Sequence, residues 1–443
     1  MVRYGGRGDA QLAERIRAIH AMSRQTSGAL RIHAELAAEG VRVGRERVAR
    51  LTRAANFKAT GPRCLRFQTR AIATNAIHRA NEWDLPMSNS SRSVFFGANA
   101  ARTGHFEGTG PLVVKRARWK FKPSTLATTR NTPAIHDGVL FANFDNDKLY
   151  ALDLAKGKEL WSVRVGGRVP ESLSNPMVAH GLLFVVGGGQ CHAVDLGTHA
   201  IRWSISCDSE ATSSPIVVDD DVYVGTRLGG VVAIDARTGV ERWRVLLRCG
   251  ESVQAAVSVT RDQVVVGTRR DFVEGHVVAL DRATGGERWS AKAGAMANGG
   301  APAIAGSTVY ALSGLGMCLR ALDLASGKER WSYETGDALW GTPAVADGVV
   351  CFTGYHGILH ALDQDTGKEI WSVALDKPPK DTVSPAIAGG VVYMGAGNVV
   401  HAWTLREGTE RWRWKAPYRV STAPLVADGT VYVGCDRAVV ALG

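Results

Sequence analysis

The stretch ALDLAKGKELW at 151–161 returns six times, as AVDLGTHAIRW (193–203), AIDARTGVERW (233–243), ALDRATGGERW (279–289), ALDLASGKERW (321–331), ALDQDTGKEIW (361–371) and AWTLREGTERW (402–412). The shared pattern is A-x-D-x-x-T-G-x-E-x-W. A lone Trp119 in RARWKF precedes the series, and a copy without its Trp, VVALG, closes it at Gly443. Trp119, Trp161, Trp203, Trp243, Trp289, Trp331, Trp371 and Trp412 thus mark eight periods, spaced 40–46 residues apart. Between them run Pro- or Ala-led alternating segments such as TPAIHDGVLFAN (132–143), SPIVVDDDVYVGT (214–226), SPAIAGGVVYMGA (384–396) and APLVADGTVYVGC (423–435). Their DG, GG and TG pairs are hairpin signals. Four short strands in a period of about 42 residues make one propeller blade. The expected fold is mainly β, an eight-bladed propeller of four-stranded antiparallel blades.

Each motif position has a physical reason. Asp153 and its equivalents at 195, 235, 281, 323 and 363 accept backbone N–H bonds in an Asx-type turn. Gly157 and its equivalents at 239, 285, 327, 367 and 408 permit positive φ. The Trp returns on the outer strand and buries a flat surface between blades. The small Ala two residues before the Asp suggests close approach. His199 replaces the Gly and Thr404 the Asp, so those two blades are expected to be locally irregular. The last blade lacks a Trp strand, and the strand around Trp119 lacks a blade. The expectation is that the two join, with Trp119 packing against the Pro424–Val433 region.

This pattern resembles the Trp-docking motif of the pyrroloquinoline quinone-like (PQQ-like) propellers, and FFGANAARTGHFEGTGPL (95–112), with Arg102, Thr103 and Gly104, is similar to their lead-in. The resemblance implies two kinds of relative. One comprises quinone-dependent dehydrogenases with an adjacent cysteine pair, a calcium site and an Asp base. The other comprises non-catalytic propellers, including outer-membrane assembly lipoproteins, that bind proteins. None of Cys64, Cys191, Cys207, Cys249, Cys318, Cys351 and Cys435 neighbours another, and there is no cytochrome CxxCH. The expectation is therefore a scaffold: not an enzyme, without catalytic, cofactor or metal residues, binding a protein partner through its faces or loops. A quinone dehydrogenase and a DNA-binding propeller fusion are the alternatives.

Other residues bear on chemistry. His192, His360 and His401 share one motif position, which suggests either a metal face or plain strand positions at a blade edge. The loops after each Trp vary and carry Glu171, Asp208, Glu210, Trp340, Lys377 and Tyr418. Binding on a rigid scaffold is carried by such loops, although solvated loop residues are the ordinary reading. GGG at 187–189 has no helix pattern and no GK[ST] after it, so it is not a phosphate loop.

The net charge of +11 is uneven. Residues 1–80 hold 16 Lys and Arg against 5 Asp and Glu, while the rest holds 37 of each. Leu12, Ile16 and Ile19, then Ile32 and Leu36 up to Gly40, then Val48 and Leu51 have helical spacing. The pattern suits a helix-turn-helix or a small basic bundle. SRQTSGALRIHAEL (23–36) and RVARL (47–51) resemble the helix-turn-helix of bacterial insertion-sequence transposases, with Ser27 where Tyr is usual. The three-carboxylate domain of those enzymes has no room here. Residues 10–58 are expected to bind DNA weakly through Arg45, Arg47, Arg50 and Arg53. The domains expected are a transposase-like remnant (1–80), a linker (81–95, containing Met87) and the propeller (96–443). No membrane span and no signal peptide are visible; the sequence as written suits the cytoplasm, many relatives of this type are exported, and the compartment stays open.

Overall fold

The computed structural model describes residues 93–165, 174–207, 213–247, 251–253, 255–270, 274–294, 300–379 and 383–443, and the two short strands Val2–Arg3 and Val41–Arg42. The chain divides into a unit of residues Met1–Arg70 and a unit of Ala71–Gly443. In the first, Val2–Arg3 pairs in parallel with Val41–Arg42. The three expected helices and Arg45, Arg47, Arg50 and Arg53 lie outside the described residues.

The second unit is the expected propeller of eight blades. Blade 1 is typical: Ala134–His136, Val139–Phe144, Lys148–Asp153 and Glu159–Arg164, all antiparallel. Blades 2 to 7 repeat it, and their first strands are Met177–Ala179, Ile216–Val218, Ser258–Val259, Ala303–Ala305, Leu339–Ala346 and Ala386–Ala388. Blade 7 gains a fifth strand, because His105–Phe106 adds in parallel to Ala386–Ala388. The turns between first and second strands are tight. In blade 1, Asp137 and Gly138 have φ of 46° and 73°. Positive φ at both central residues matches the right-handed twist of the strands.

Blade 8 closes the ring. Leu425–Ala427, Thr430–Cys435 and Ala438–Leu442 come from the C-terminus, and Ala117–Phe121 supplies the fourth strand. Ala441 lies opposite Trp119, and the Trp119 ring sits 5.9 Å from that of Tyr432. Both features were expected from the unmatched ends of the repeat.

The same cross-strand row recurs in every blade. The motif Ala stands opposite the Trp, from Ala151 and Trp161 to Ala402 and Trp412, and a bulge follows the Ala each time. A methyl group there lets rings on the two flanking strands meet above it. Phe141 and Trp161, Tyr223 and Trp243, and Tyr310 and Trp331 each lie 5.9 Å apart. Such tilted aromatic contacts add about 1 kcal/mol each beyond area burial.

Candidate functional site

The indole N–H of most outer tryptophans reaches the next blade. Trp119 donates to Leu154 O, Trp203 to Ala236 O, Trp243 to Arg282 O, Trp289 to Leu324 O, Trp331 to Gln364 O and Trp371 to Leu405 O, all at 2.8–3.2 Å. Each acceptor follows the motif Asp or its Thr404 equivalent. The turn presents a Gly under the ring: a Cβ on Gly157 would lie 2.4 Å from Trp119, and Gly157 has φ of 65°. The Asp carboxylate ties the turn, as Asp235 does by accepting the Thr238 N–H at 2.8 Å. Its second oxygen takes the Arg that precedes the next Trp, as in Arg288 to Asp281 and Arg330 to Asp323, both 2.7 Å. Asp323 is held down to about 2, first by Arg330 and then by Ser326. The sequence reading passed over this Arg, although its recurrence in ERW was the available signal.

The two substituted blades are not irregular. His199 adopts φ of 58° and donates its backbone N–H to Asp195 O like the glycines. Its ring stacks on Trp161 at 4.3 Å and 18°. Thr404 Oγ1 accepts the Thr409 N–H, and Gly408 N–H still reaches Thr404 O. Local backbone bonding, not residue identity, keeps the turn, so that expectation is corrected.

The propeller axis is filled by the chain itself. Residues 94–106 form a strap along the innermost strands. Val94 bridges Ile135 of blade 1; Ala100 O accepts from Val259 of blade 4, Ala101 O from Ile304 of blade 5, Thr103 O from Val345 of blade 6 and Gly104 O from Ile387 of blade 7. Val94 therefore already belongs to the propeller, within the stretch read as linker. Phe96 packs against Ala256, Ala301 and Ala423. Arg102 is 1% exposed and has φ of 57°. Its guanidinium donates to the carbonyls of Phe96 (2.5 Å), Pro215 (3.2 Å) and Val257 (3.3 Å) and lies 5.3 Å over the Phe96 ring. Burial lowers its pKa to about 9. The cavity beside the strap, lined among others by Phe96, Phe106, Thr342 and Pro424, measures about 10 Å³. That is the room of one water.

One sector pairs a half-buried Trp340 with an exposed Tyr355. The first strand of blade 6, Leu339–Ala346, is unusually long and carries Trp340, whose ring lies 5.4 Å from that of Tyr355. Buried Asp337 accepts the backbone N–H of His356 at 2.8 Å and contacts its Nδ1 at 2.7 Å, fixing the turn that presents Tyr355. Leu315 and Met317 are exposed in the matching turn of blade 5. Of the other loop residues, Lys377 is exposed with its stem against Gly397, and Tyr418 is half-buried against the core. Glu171, Asp208 and Glu210 lie outside the described residues.

The three motif histidines are not brought together. His192 is tied to Ser204 (2.8 Å), His360 to Glu369 (2.9 Å) and His401 to Glu410 (3.0 Å), each within its own blade. Burial lowers the pKa of His192 and His401. Among the described residues, no group of three His, Cys, Asp or Glu could hold a metal. Cys191, Cys207, Cys318, Cys351 and Cys435 are free and buried, and burial raises Cys435 to about 12. Among the described residues, these buried thiols and the strap along the innermost strands do not fit a bound quinone. Gly187 to Gly189 belong to the hairpin of blade 2. No helix among the described residues is long and apolar enough to cross a membrane.

A family model described as outer membrane protein assembly factor BamB matches residues 114–190, 171–319, 273–387 and 355–442, nearly the whole propeller. The chain belongs to this family. A second model, an HTH-like domain, matches residues 7–63, where the transposase-like reading was made. Relatives of the BamB-family propeller include the serine/threonine-protein kinase AfsK of Streptomyces griseus, 31% identical over 156 residues, covering 33% of this chain and 19% of that one. Quinohemoprotein alcohol dehydrogenase ADH IIB of Pseudomonas putida is 28% identical over 139 residues, covering 31% and 16%. The chain spans less than a fifth of either relative. The crystal structure of BamB from Moraxella catarrhalis has the same fold, with a TM-score of 0.61 and 18% identity, covering 74% of this chain and 99% of that one.

Proposed function

We propose that the propeller is a non-catalytic scaffold that docks a protein partner on its exposed face, with the Trp340–Tyr355 sector as one contact. The observation that carries this is the strap: Arg102 lies buried among the innermost strands and donates to the carbonyls of Phe96, Pro215 and Val257, and the cavity beside it holds about one water. Aromatic rings on a rigid turn suit protein recognition, where Tyr and Trp are enriched. The N-terminal HTH-like unit contributes at most non-specific contacts to DNA in this reading. The competing reading, a quinone dehydrogenase, draws on the names of relatives such as ADH IIB. Reconstitution of the full chain with pyrroloquinoline quinone and calcium, followed by a dye-linked assay on alcohols and sugars, is expected to give no turnover. Sustained turnover would move the protein to the enzyme class.

A further inference from the structure

The outer strand of blade 8 differs in charge from the rest. In blades 1 and 3 to 7 the fourth strand opens on Glu, at 159, 241, 287, 329, 369 and 410. In blade 8 that place is Ala117. The segment 115–122, KRARWKFK, holds five cations and no carboxylate, in a body whose charges sum to zero with these five included. Lys115, Arg116, Arg118, Lys120 and Lys122 are exposed, and none forms an ion pair among the described residues; Arg118 reaches only Thr430 Oγ1, at 2.9 Å. Arg118 and Lys120 share the exposed face of Ala117–Phe121, and Lys122 continues the row. Cations two residues apart on a strand stand about 7 Å from each other.

Charged residues on an outer strand also keep an open sheet edge from pairing with another chain. That task needs one or two charges of either sign. Blade 7 meets it with Glu410, Arg411, Arg413 and Lys415, of which Arg413 is paired with Glu410 and Asp376. Five exposed cations without an ion pair among the described residues, three of them in one row, exceed it.

We propose that this rim strand is a nucleic-acid contact, with Lys115, Arg116, Arg118, Lys120 and Lys122 on backbone phosphates. The second observation is the HTH-like match at residues 7–63 of the same chain. The chain thus carries two separate basic segments, each of a kind that suits a polyanion. Contacts of this kind position a protein without reading sequence. Leu112 and Val113, 71% and 62% exposed beside the row, make a bilayer the competing occupant.

The test uses the full chain and a short labelled random-sequence duplex, with binding followed by anisotropy across a salt titration. Replacing Lys115, Lys120 and Lys122 by Ala should make the slope of log K against log salt shallower by about 2 to 3, since each lost phosphate contact removes about 0.9. The same three positions changed to Gln keep the stems and should give the same shift, which covers a failure of the Ala variant to fold. The shift should persist when Arg45, Arg47, Arg50 and Arg53 are also changed to Ala. An unchanged slope in the lysine variants overturns the proposal. So does a lysine effect confined to sedimentation with phosphatidylcholine–phosphatidylglycerol vesicles, which would assign the rim to a membrane surface.

Discussion

Trp412 donates its indole N–H to the carbonyl oxygen of Pro111, 2.9 Å away and 301 residues earlier in the chain. In the six contacts of this kind described above, the acceptor belongs to the turn between the third and fourth strands. In blade 8 that turn is cut, because the third strand ends at Leu442 and the fourth begins at Ala117. Pro111 replaces the missing turn, so the segment leading into Trp119 serves as both dock and closing strand. Two independent devices therefore join the ends of the propeller: a strand added to a sheet, and an indole bound to a carbonyl.

Trp119→Ala should lower the unfolding free energy by about 3 kcal/mol, at the lower end for a Trp truncation because the ring is half-buried. Urea unfolding measures this. A loss below about 1 kcal/mol would mean that the closure bears little of the ring's stability.

A chain starting at Met87 should be monomeric and fold cooperatively. One starting at Pro133 loses both the strap and the closing strand and should aggregate through the open edge of Ala438–Leu442. A chain starting at Glu107 keeps the closing strand but not the strap, and should be monomeric yet less stable. Light scattering and thermal melts separate the three; equal behaviour of the Pro133 and Met87 chains would contradict the closure.

Arg102→Ala should cost about 3 kcal/mol, because the carbonyls of Phe96, Pro215 and Val257 lose their donors inside the axis. Since burial lowers the Arg102 pKa to about 9 from 12.5, the unfolded chain binds more protons between those values. Its own contribution to stability therefore rises with pH there. Tyr223 and Tyr393 act the other way: burial raises both to about 12 from 10, so their contribution is lost as pH climbs from 10 to 12. Relative to the parent, Arg102→Ala should thus lose the most stability at the alkaline end. A stability difference that is flat from pH 8 to pH 11 would show that the guanidinium does not titrate as described.

The motif aspartates set the acid limit. Asp195, Asp235, Asp281, Asp323 and Asp363 all titrate below their usual value. Folded pKa values depressed in this way give stability that is full above about 4 and is lost as pH falls toward 2. Asp323→Asn should shift the acid unfolding midpoint upward, as read by tryptophan fluorescence.

Much of the fold could be read because its period is written in residues with fixed physical tasks. The Trp, the Ala opposite it and the Gly beneath the next ring constrain one another, so eight copies specify eight blades and even the joining of Trp119 to the C-terminal strands. The strap was less legible. FFGANAARTG has no alternation, and its hydrogen bonds go to strands up to about 280 residues away, which no local pattern encodes. Arg102 looks like any surface Arg until the fold closes around it. The aromatic sector suffered similarly: Trp340 was noted as a loop residue, but Tyr355 and His356 reach it only through the pairing of Trp340 with Thr353. The expectation of irregular blades at His199 and Thr404 failed because the turn rests on backbone bonds that both residues can make.

The strap also fixes an order of events. Residues 94–106 leave the ribosome before any strand they bind has been made, and their partner Ile387 follows almost 300 residues later. Only the Val94 bridge to Ile135 of blade 1 is available early; the strap's other partners named above, in blades 4 to 7, come later in the chain. Contacts this distant in sequence form slowly. The strap contacts with blades 4 to 7 and the pairing of the C-terminal strands with Trp119 can form only after those later residues are made. Until then, a half-made propeller exposes its inner strands, and chaperone dependence should concentrate in that interval.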